Sequence, residues 1–427
     1  MADAVPEFVT GAPAASEPAP VVGGTAPLLH GAPPDAGETA ATAERPWLRS
    51  LSVAVVPWVV ARGVVLGVLV LARQLVRSLH LSDPAVLGAA HHGLLCWDAG
   101  WYAGIAARGY RALPREALRF FPLVPLVARA LHGLVPLSTS ACLVIVANAG
   151  ALALGALLHR LVMRESGDRA LARRAAWLVA LAPPAYVLVM GYAEALGTAL
   201  AVAAFLALRG RRWWWAALWG VLAGLARPLN VLLALPALVE TARAVGGHGA
   251  GAAPRFGIGR TDTGRKMAGQ AAAVVAAPAG AAMYLAWVGV RFGDALLPLR
   301  IQQQRGHRGR LEPPTQVLTR AVVNIAHGRH MGQALHFPWV VLLAGLVVVL
   351  ARRWPAPYTA YAGAVLLLSL CSANMDSLER YALGAFPFVL AAAWLTAPPK
   401  VEGAVLALAA AGLGTYALLA FVNVVVP

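Results

Sequence analysis

Apolar residues run consecutively along most of this chain instead of alternating with polar ones. Stretches such as Leu51-Ser52-Val53-Ala54-Val55-Val56 and Val340-Val341-Leu342-Leu343-Ala344 recur throughout. Many extend over roughly 17 to 25 residues, enough for a helix to cross about 30 Å of hydrocarbon. The strands of a membrane barrel would alternate over about ten residues. The pattern therefore predicts an all-α, polytopic membrane protein. Spans are expected near residues 51–72, 139–163, 175–191, 193–208, 267–290, 336–351, 355–372, 381–397 and 401–424. The segment 213–242 is interrupted by Arg227-Pro228, and proline removes a helix donor, so it is expected to split into two short helices. The count comes to about eleven.

Composition agrees with a bilayer environment: 59% of the 427 residues are hydrophobic and 13% are charged. A net charge of +16, carried almost wholly by arginine, would suggest nucleic acid in a soluble protein. Here the basic residues collect in short loops between apolar runs, as topology signals do, and no nucleic-acid partner is expected. Residues 1–46, rich in Ala, Pro, Gly and Thr, read as a disordered cytoplasmic tail without a signal peptide. Residues 47–427 then form one transmembrane domain, with Arg45 and Arg49 holding its start in the cytoplasm.

Following the chain from there, residues 73–138 form a first external loop. Arg164, Arg169, Arg173 and Arg174, then Arg209, Arg211 and Arg212, fall inside, with Trp213-Trp214-Trp215 as an interfacial anchor and the loop 243–266 inside again. The segment 291–335 is external yet carries Arg291, Arg300, Arg305, Arg308, Arg310, Arg320 and Arg329. Long loops escape the positive-inside rule, so the topology stands and the question becomes what anion those arginines meet.

The chemistry concentrates in Trp97-Asp98-Ala99-Gly100-Trp101-Tyr102. Trp101, Tyr102 and Ile105 follow Asp98 at i+3, i+4 and i+7, so a short helix aligns them on one face with the carboxylate at its N-terminal end. Asp98 reads equally as a catalytic base or as a helix cap worth about 1 kcal/mol. Trp97, Trp101 and Tyr102 suit both sugar stacking and interfacial anchoring. Glu194 and Arg227 both fall near the outer ends of their spans and are candidates to pair with each other or to meet substrate. Arg380, beside Tyr381, is either a phosphate ligand or a snorkelling interfacial arginine, and Glu116 reads as a solvated loop acid. Cys96, Cys142 and Cys371 lack metal-ligand spacing. The histidines His91, His92, His327 and His330 have no acidic cluster around them, and no nucleotide-binding or Asp-x-Asp motif occurs. No cofactor and no metal are expected.

The stretch of Trp97, Asp98, Trp101, Tyr102, Ile105, Ala106, Gly109 and Tyr110, followed by Phe120-Phe121-Pro122-Leu123 with Pro125 and Leu126, resembles the PIG-V mannosyltransferase family. Pro183-Pro184, Tyr192-Ala193-Glu194, Arg227-Pro228, Glu379-Arg380-Tyr381 and Phe386-Pro387 continue the likeness in order, so that it covers most of residues 50–395. The resemblance implies a GT-C glycosyltransferase fold with a catalytic first external loop, a polyprenyl-phosphate sugar as donor and Asp98 as base. It also implies substrate contacts from Trp97, Trp101, Tyr102, Tyr110, Phe121, Tyr192, Glu194, Arg227, Arg380 and Tyr381. The family's eukaryotic members mannosylate a glycolipid anchor precursor. The Arg- and Ala-rich composition here looks like that of a high-GC bacterium, so the expected acceptor is left open among an extracytoplasmic glycolipid, glycan or protein, and the expected location is the plasma membrane. A multi-span lipid or solute transporter is the rival expectation, since it too combines broken helices with buried charge.

Overall fold

The computed structural model describes residues 46–246, 260–304, 307–328, 332–373, 375 and 377–424. The expected tail up to residue 45, residues 247–259 of the 243–266 loop, and Arg305, Arg329 and His330 lie outside the described residues. Within them the chain is all-α, and its only strand-like pairing is an isolated antiparallel bridge between Leu311 and Ser372.

The first helix, α1 (Pro46–Ser78), shows how the apolar pattern is used. Ala54, Ala61, Val65, Leu69, Ala72 and Val76 fall on one helical stripe and are buried, whereas Val55, Val56, Val59, Leu66 and Val70 are exposed on the other side. A helix apolar all round, with one face packed and one open, fits a lipid-facing position. It is followed by three short helices, α2 (Pro84–His92), α3 (Asp98–Arg108) and α4 (Leu123–His132), joined by 3₁₀ turns. The segment 73–138, expected as a loop, is thus a set of helices, not an irregular stretch.

The next group comprises α5 (Thr139–Ser166), α6 (Arg169–Leu181), α7 (Glu194–Arg209), α8 (Trp213–Ala226), α9 (Ala234–Gly246) and α10 (Arg260–Phe292). Ser138 caps α5 by accepting from the Ala141 N–H, and Asp168 caps α6 through the Ala170 and Leu171 N–H groups. A Cβ at Gly150 of α5 would lie 2.8 Å from the Leu196 nitrogen, so only glycine permits the close approach of α7 there. The segment expected to span 175–191 stops as an α-helix at Leu181, because Ala182 is extended before Pro183 and the chain continues as a 3₁₀ turn over Pro183–Leu188. The expected split at Arg227-Pro228 is present: α8 ends at Ala226, and a 3₁₀ turn over Pro228–Leu233 leads into α9.

The last group holds α11 (Leu297–Gln302) and α12 (Pro314–Ala326) within the segment read as a long loop, then α13 (Gly332–Arg353), α14 (Ala356–Leu370), α15 (Leu378–Gly384), α16 (Pro387–Leu395) and α17 (Pro399–Phe421). The single span expected over 381–397 is broken: α15 and α16 meet at 90°, with Pro387 opening the second helix. Six described helices are long and apolar enough to cross a membrane, or seven if the bent pair counts as one span. The other apolar segments behind the count of eleven are shorter. α8 and α14, at 14 and 15 residues, rise about 21 to 23 Å against roughly 30 Å of hydrocarbon.

Two apolar clusters position the site. The larger draws on α1, α5, α6, α7 and α13 to α17; the smaller packs Tyr102, Ile105, Phe120, Phe121 and Val124 against Cys142 of α5 and Tyr284 of α10. The helices after α1 are thereby fastened onto the bundle, and Asp98 falls where the two clusters meet.

Candidate active site

Asp98 is the first residue of α3, and the residue before it is strained. Trp97 has φ 58° and ψ −131°, a conformation that costs a bulky side chain on the order of 1–3 kcal/mol. Its indole N–H is bound to the carbonyl of Ala420 on α17 at 2.9 Å, which holds the turn in place. Trp97 is therefore a brace between α3 and α17. The Asp98 N–H donates to the Tyr192 hydroxyl at 3.2 Å, and its carboxylate stays 31% exposed.

Arg380 reaches that carboxylate from α15, with Nη1 2.6 Å from Asp98 Oδ2 and 3.6 Å from Glu194 Oε1. Its Nη2 donates to the Tyr381 hydroxyl at 3.2 Å, and its guanidinium carbon lies 5.6 Å from the Tyr192 ring centroid. Its Nε is buried and has no hydrogen-bond partner among the described residues. Ser377, which precedes α15, has φ 64°, so both helices that deliver the Asp98–Arg380 pair start from non-glycine residues with positive φ.

Arg227 completes the cluster from the break between α8 and the following 3₁₀ turn. The residue before a proline is driven to extended backbone, here φ −152° and ψ 140°, which ends the helix and leaves the side chain to cross to α7. Its Nη2 lies 3.2 Å from Glu194 Oε1, in the first turn of that helix, and both residues are about 95% buried. The guanidinium passes two glycines: a Cβ at Gly197 would fall 2.7 Å from Arg227 Cδ, and one at Gly384 2.5 Å from Nη1. Asn230 seals the break by donating to the carbonyls of Gly197 and Ala223 at 3.2 and 3.0 Å. Asp98, Glu194, Arg227 and Arg380, from four separate parts of the chain, thus form one chain of ion pairs.

Aromatic side chains wall this cluster. Trp101 stacks on Phe120 at 5.9 Å and Tyr102 meets the same ring edge-on at 5.2 Å. Burial first, and the nearby charges of Glu194 and Asp98 second, push the Tyr102 hydroxyl well above its ordinary value, so it remains a neutral hydrogen-bonding group. Tyr381 is covered by the Arg308 guanidinium at 3.9 Å, and Arg308 also donates to Ser372 at 3.3 Å. Among the arginines of the 291–335 segment, Arg308 is thereby placed at the cluster. Arg300 pairs with Asp294, and Arg320 with Glu312.

Two expected contact residues occupy a second layer. Tyr110 donates to the Phe120 carbonyl at 2.7 Å and Phe121 packs on Tyr284 at 4.8 Å, both buried. They support the wall and do not reach the carboxylates. Sequence reasoning missed Arg119, His307 and His336. Arg119 and His307 each lie within the field of Asp98, and burial pushes both below their ordinary values. His336 holds Glu379, next to Arg380, by Nδ1 to Oε2 at 2.9 Å. Only Arg119, immediately before the Phe120-Phe121 pair, lies beside a stretch that drew attention on its own.

Cys96, just before this turn, is held as a thiol because burial pushes it up to about 12. Among the described residues no three His, Cys, Asp or Glu side chains converge as a metal-holding group. No protein-family model matches the chain, and no curated protein resembles it significantly.

Proposed function

We propose that this protein is a membrane glycosyltransferase that moves a mannosyl group, with inversion, from a polyprenyl-phosphate donor to an extracytoplasmic acceptor hydroxyl. In this reading the bundle is GT-C-like, the shorter helices α6, α7, α8 and α14 also cross the membrane to give about eleven spans, and the N-terminus faces the cytoplasm. The observation that carries the proposal is the Asp98 carboxylate. It is partly open at the start of a short helix, beside Tyr192 and Tyr102, and fixed through one oxygen by a buried arginine.

Arg380 occupies Oδ2, and no protein group hydrogen-bonds to or pairs with Oδ1 among the described residues. An acceptor hydroxyl within about 3 Å of that free oxygen gives up its proton to Asp98 as its oxygen bonds to the anomeric carbon. The bond from that carbon to the phosphate oxygen breaks at the same time, and the lipid phosphate leaves with the electron pair. A base held against a rigid cation cannot swing away, which keeps it aligned for attack from one face. Trp101 and Tyr102 supply flat apolar surface for a sugar or the first isoprene units.

Asp98→Asn keeps the shape and removes the base. Membranes carrying this variant at wild-type abundance, supplied with labelled polyprenyl-phosphate mannose, are expected to lose transfer, and undiminished transfer would sink the assignment. The 90° break after Arg380 and the buried charges also suit a lipid transporter. That second reading requires labelled lipid to change leaflets in vesicles bearing Asp98→Asn as it does with the wild type.

A further inference from the structure

Arg227 and Arg380, with the arginines of 291–335, are the ones that the sequence marks for an anionic ligand, yet in the folded chain these two are already balanced. Arg227 faces Glu194, and Arg380 faces Asp98 with Glu194 behind it. Two cations against two carboxylates leave the buried cluster no surplus positive charge for an incoming phosphate. Displacing either carboxylate would strand a buried charge, at a cost of about 3–5 kcal/mol. The anion needs another partner.

Arg119 has the required position. It closes the 3₁₀ turn Arg115–Arg119 and is half-buried, and the contacts that hold it are all neutral. Nε donates to the Glu116 carbonyl at 3.2 Å, Nη1 donates to Gln302 Oε1 at 3.3 Å, and the guanidinium lies 5.1 Å from the Phe120 ring centroid. It makes no ion pair among the described residues. Phe120 stacks on Trp101 and touches Tyr102, the residues at i+3 and i+4 from Asp98. Arg119 is thus joined to the helix that Asp98 opens through the Phe120 ring, and the charges of Asp98, Tyr381, Glu116 and Arg380 act on it. A cation held partly out of water with no carboxylate in ion-pair contact is poised for an anion.

We propose that Arg119 receives the phosphate of a polyprenyl-phosphate ligand whose sugar lies at Asp98, with Gln302 of α11 orienting the guanidinium. The inference rests on the glycosyl-transfer reading above. Arg119 then faces the oxygen that gains the electron pair as the glycosidic bond breaks, while the hydroxyl proton goes to Asp98. The arrangement divides the labour: the buried arginines hold the base, and Arg119 holds the leaving group.

The test measures binding of tritiated polyprenyl monophosphate to the full chain in phosphatidylcholine nanodiscs, with inorganic phosphate and unphosphorylated polyprenol as competitors. Arg119→Gln is expected to weaken lipid-phosphate binding about tenfold or more, and Arg119→Lys to recover part of it, because a point charge replaces a bidentate one. Thermal unfolding of both variants reports whether they are folded, and the lysine variant keeps the charge where the glutamine variant is unstable. Wild-type affinity in a folded Arg119→Gln protein overturns the inference while leaving the transferase reading intact. Failure of the wild type to bind the lipid phosphate overturns both. Competition by inorganic phosphate as effective as that by the lipid, and lost in Arg119→Gln, makes this a free-anion site and overturns the lipid assignment.

Discussion

Helix α7 carries an ion cluster at each end, and the two are built differently. At its C-terminal end Arg209 grips Glu165 of α5 through two contacts, 2.8 and 3.0 Å, and Glu240 of α9 through a third at 2.6 Å. Each nitrogen of that guanidinium has an acceptor. At its N-terminal end Glu194 is shared by Arg227 and Arg380 through single contacts. There, among the described residues, Asp98 keeps one oxygen without a hydrogen-bond partner, and Arg380 a buried Nε without one. Two-point, fully satisfied pairing is what a clamp between helices needs. Incomplete pairing beside aromatic walls is what a site needs, because the missing partners can come from a ligand. Burial and charge alone do not separate the two clusters; how completely the charged groups pair with each other does.

The sharpest way to break this contrast is to remove one carboxylate from each end. Asp98→Asn is expected to lower transfer per folded molecule by at least about a hundredfold, whereas Glu165→Gln at the other end leaves turnover of the folded fraction unchanged. The radiolabel transfer assay, normalised to the monodisperse protein peak, measures both. Equal losses would mean that the two clusters do the same work.

Next in size is the buried pair itself. Arg227→Met leaves Glu194 buried with its pairing weakened and is expected to destabilise the protein by about 3–5 kcal/mol. Arg227→Met combined with Glu194→Leu restores part of that loss, because no charge is then left stranded. Thermal unfolding in one detergent detects the recovery. A double variant no better than the single one would show that Arg380 does not tolerate the loss of Glu194.

Arg209→Met is of the same order, at about 3–5 kcal/mol, because it strands Glu165, whose side chain is 3% exposed. Gly384→Ala follows, at about 1 kcal/mol or more of strain, because the new methyl group must displace Arg227 Nη1, the end of a flexible side chain. It is expected to lower transfer more than stability, which separates positioning from folding. Arg173→Ala is the smallest: it removes an exposed partner of Glu402, and its effect on unfolding stays under about 1 kcal/mol.

Much of the architecture was legible in the sequence because it depends on local periodicity and on proline. The apolar runs marked α1, α5, α10 and α17, and Arg227-Pro228 marked the break between α8 and the turn before α9. Where the expectation failed, proline acted more strongly than the apolar count suggested. Pro183 ended α6 early, and Pro387 began a new helix at 90° where one span had been expected. In the site, the sequence itself marks Asp98, Tyr192, Glu194, Arg227, Arg380 and Tyr381. The aromatics were sorted only by their contacts: Trp97 bonds to Ala420, and Tyr110 to Phe120. Hydrophobic periodicity says that a ring is buried but not which atoms its polar tip meets.

What the sequence determined by itself is an all-α chain fit for a bilayer, with an acid and aromatics opening a short helix. These follow from the spacing of neighbouring residues, over which a helix repeats in a known way. What only the tertiary structure decided is the pairing. Arg380 lies 282 positions from Asp98 and Arg227 lies 33 from Glu194, separations across which no local period carries information. The distance between their charges is set by how α3, α7, α8 and α15 pack, and in a low-dielectric interior that distance decides which arginine serves as a strut and which is left to meet a ligand.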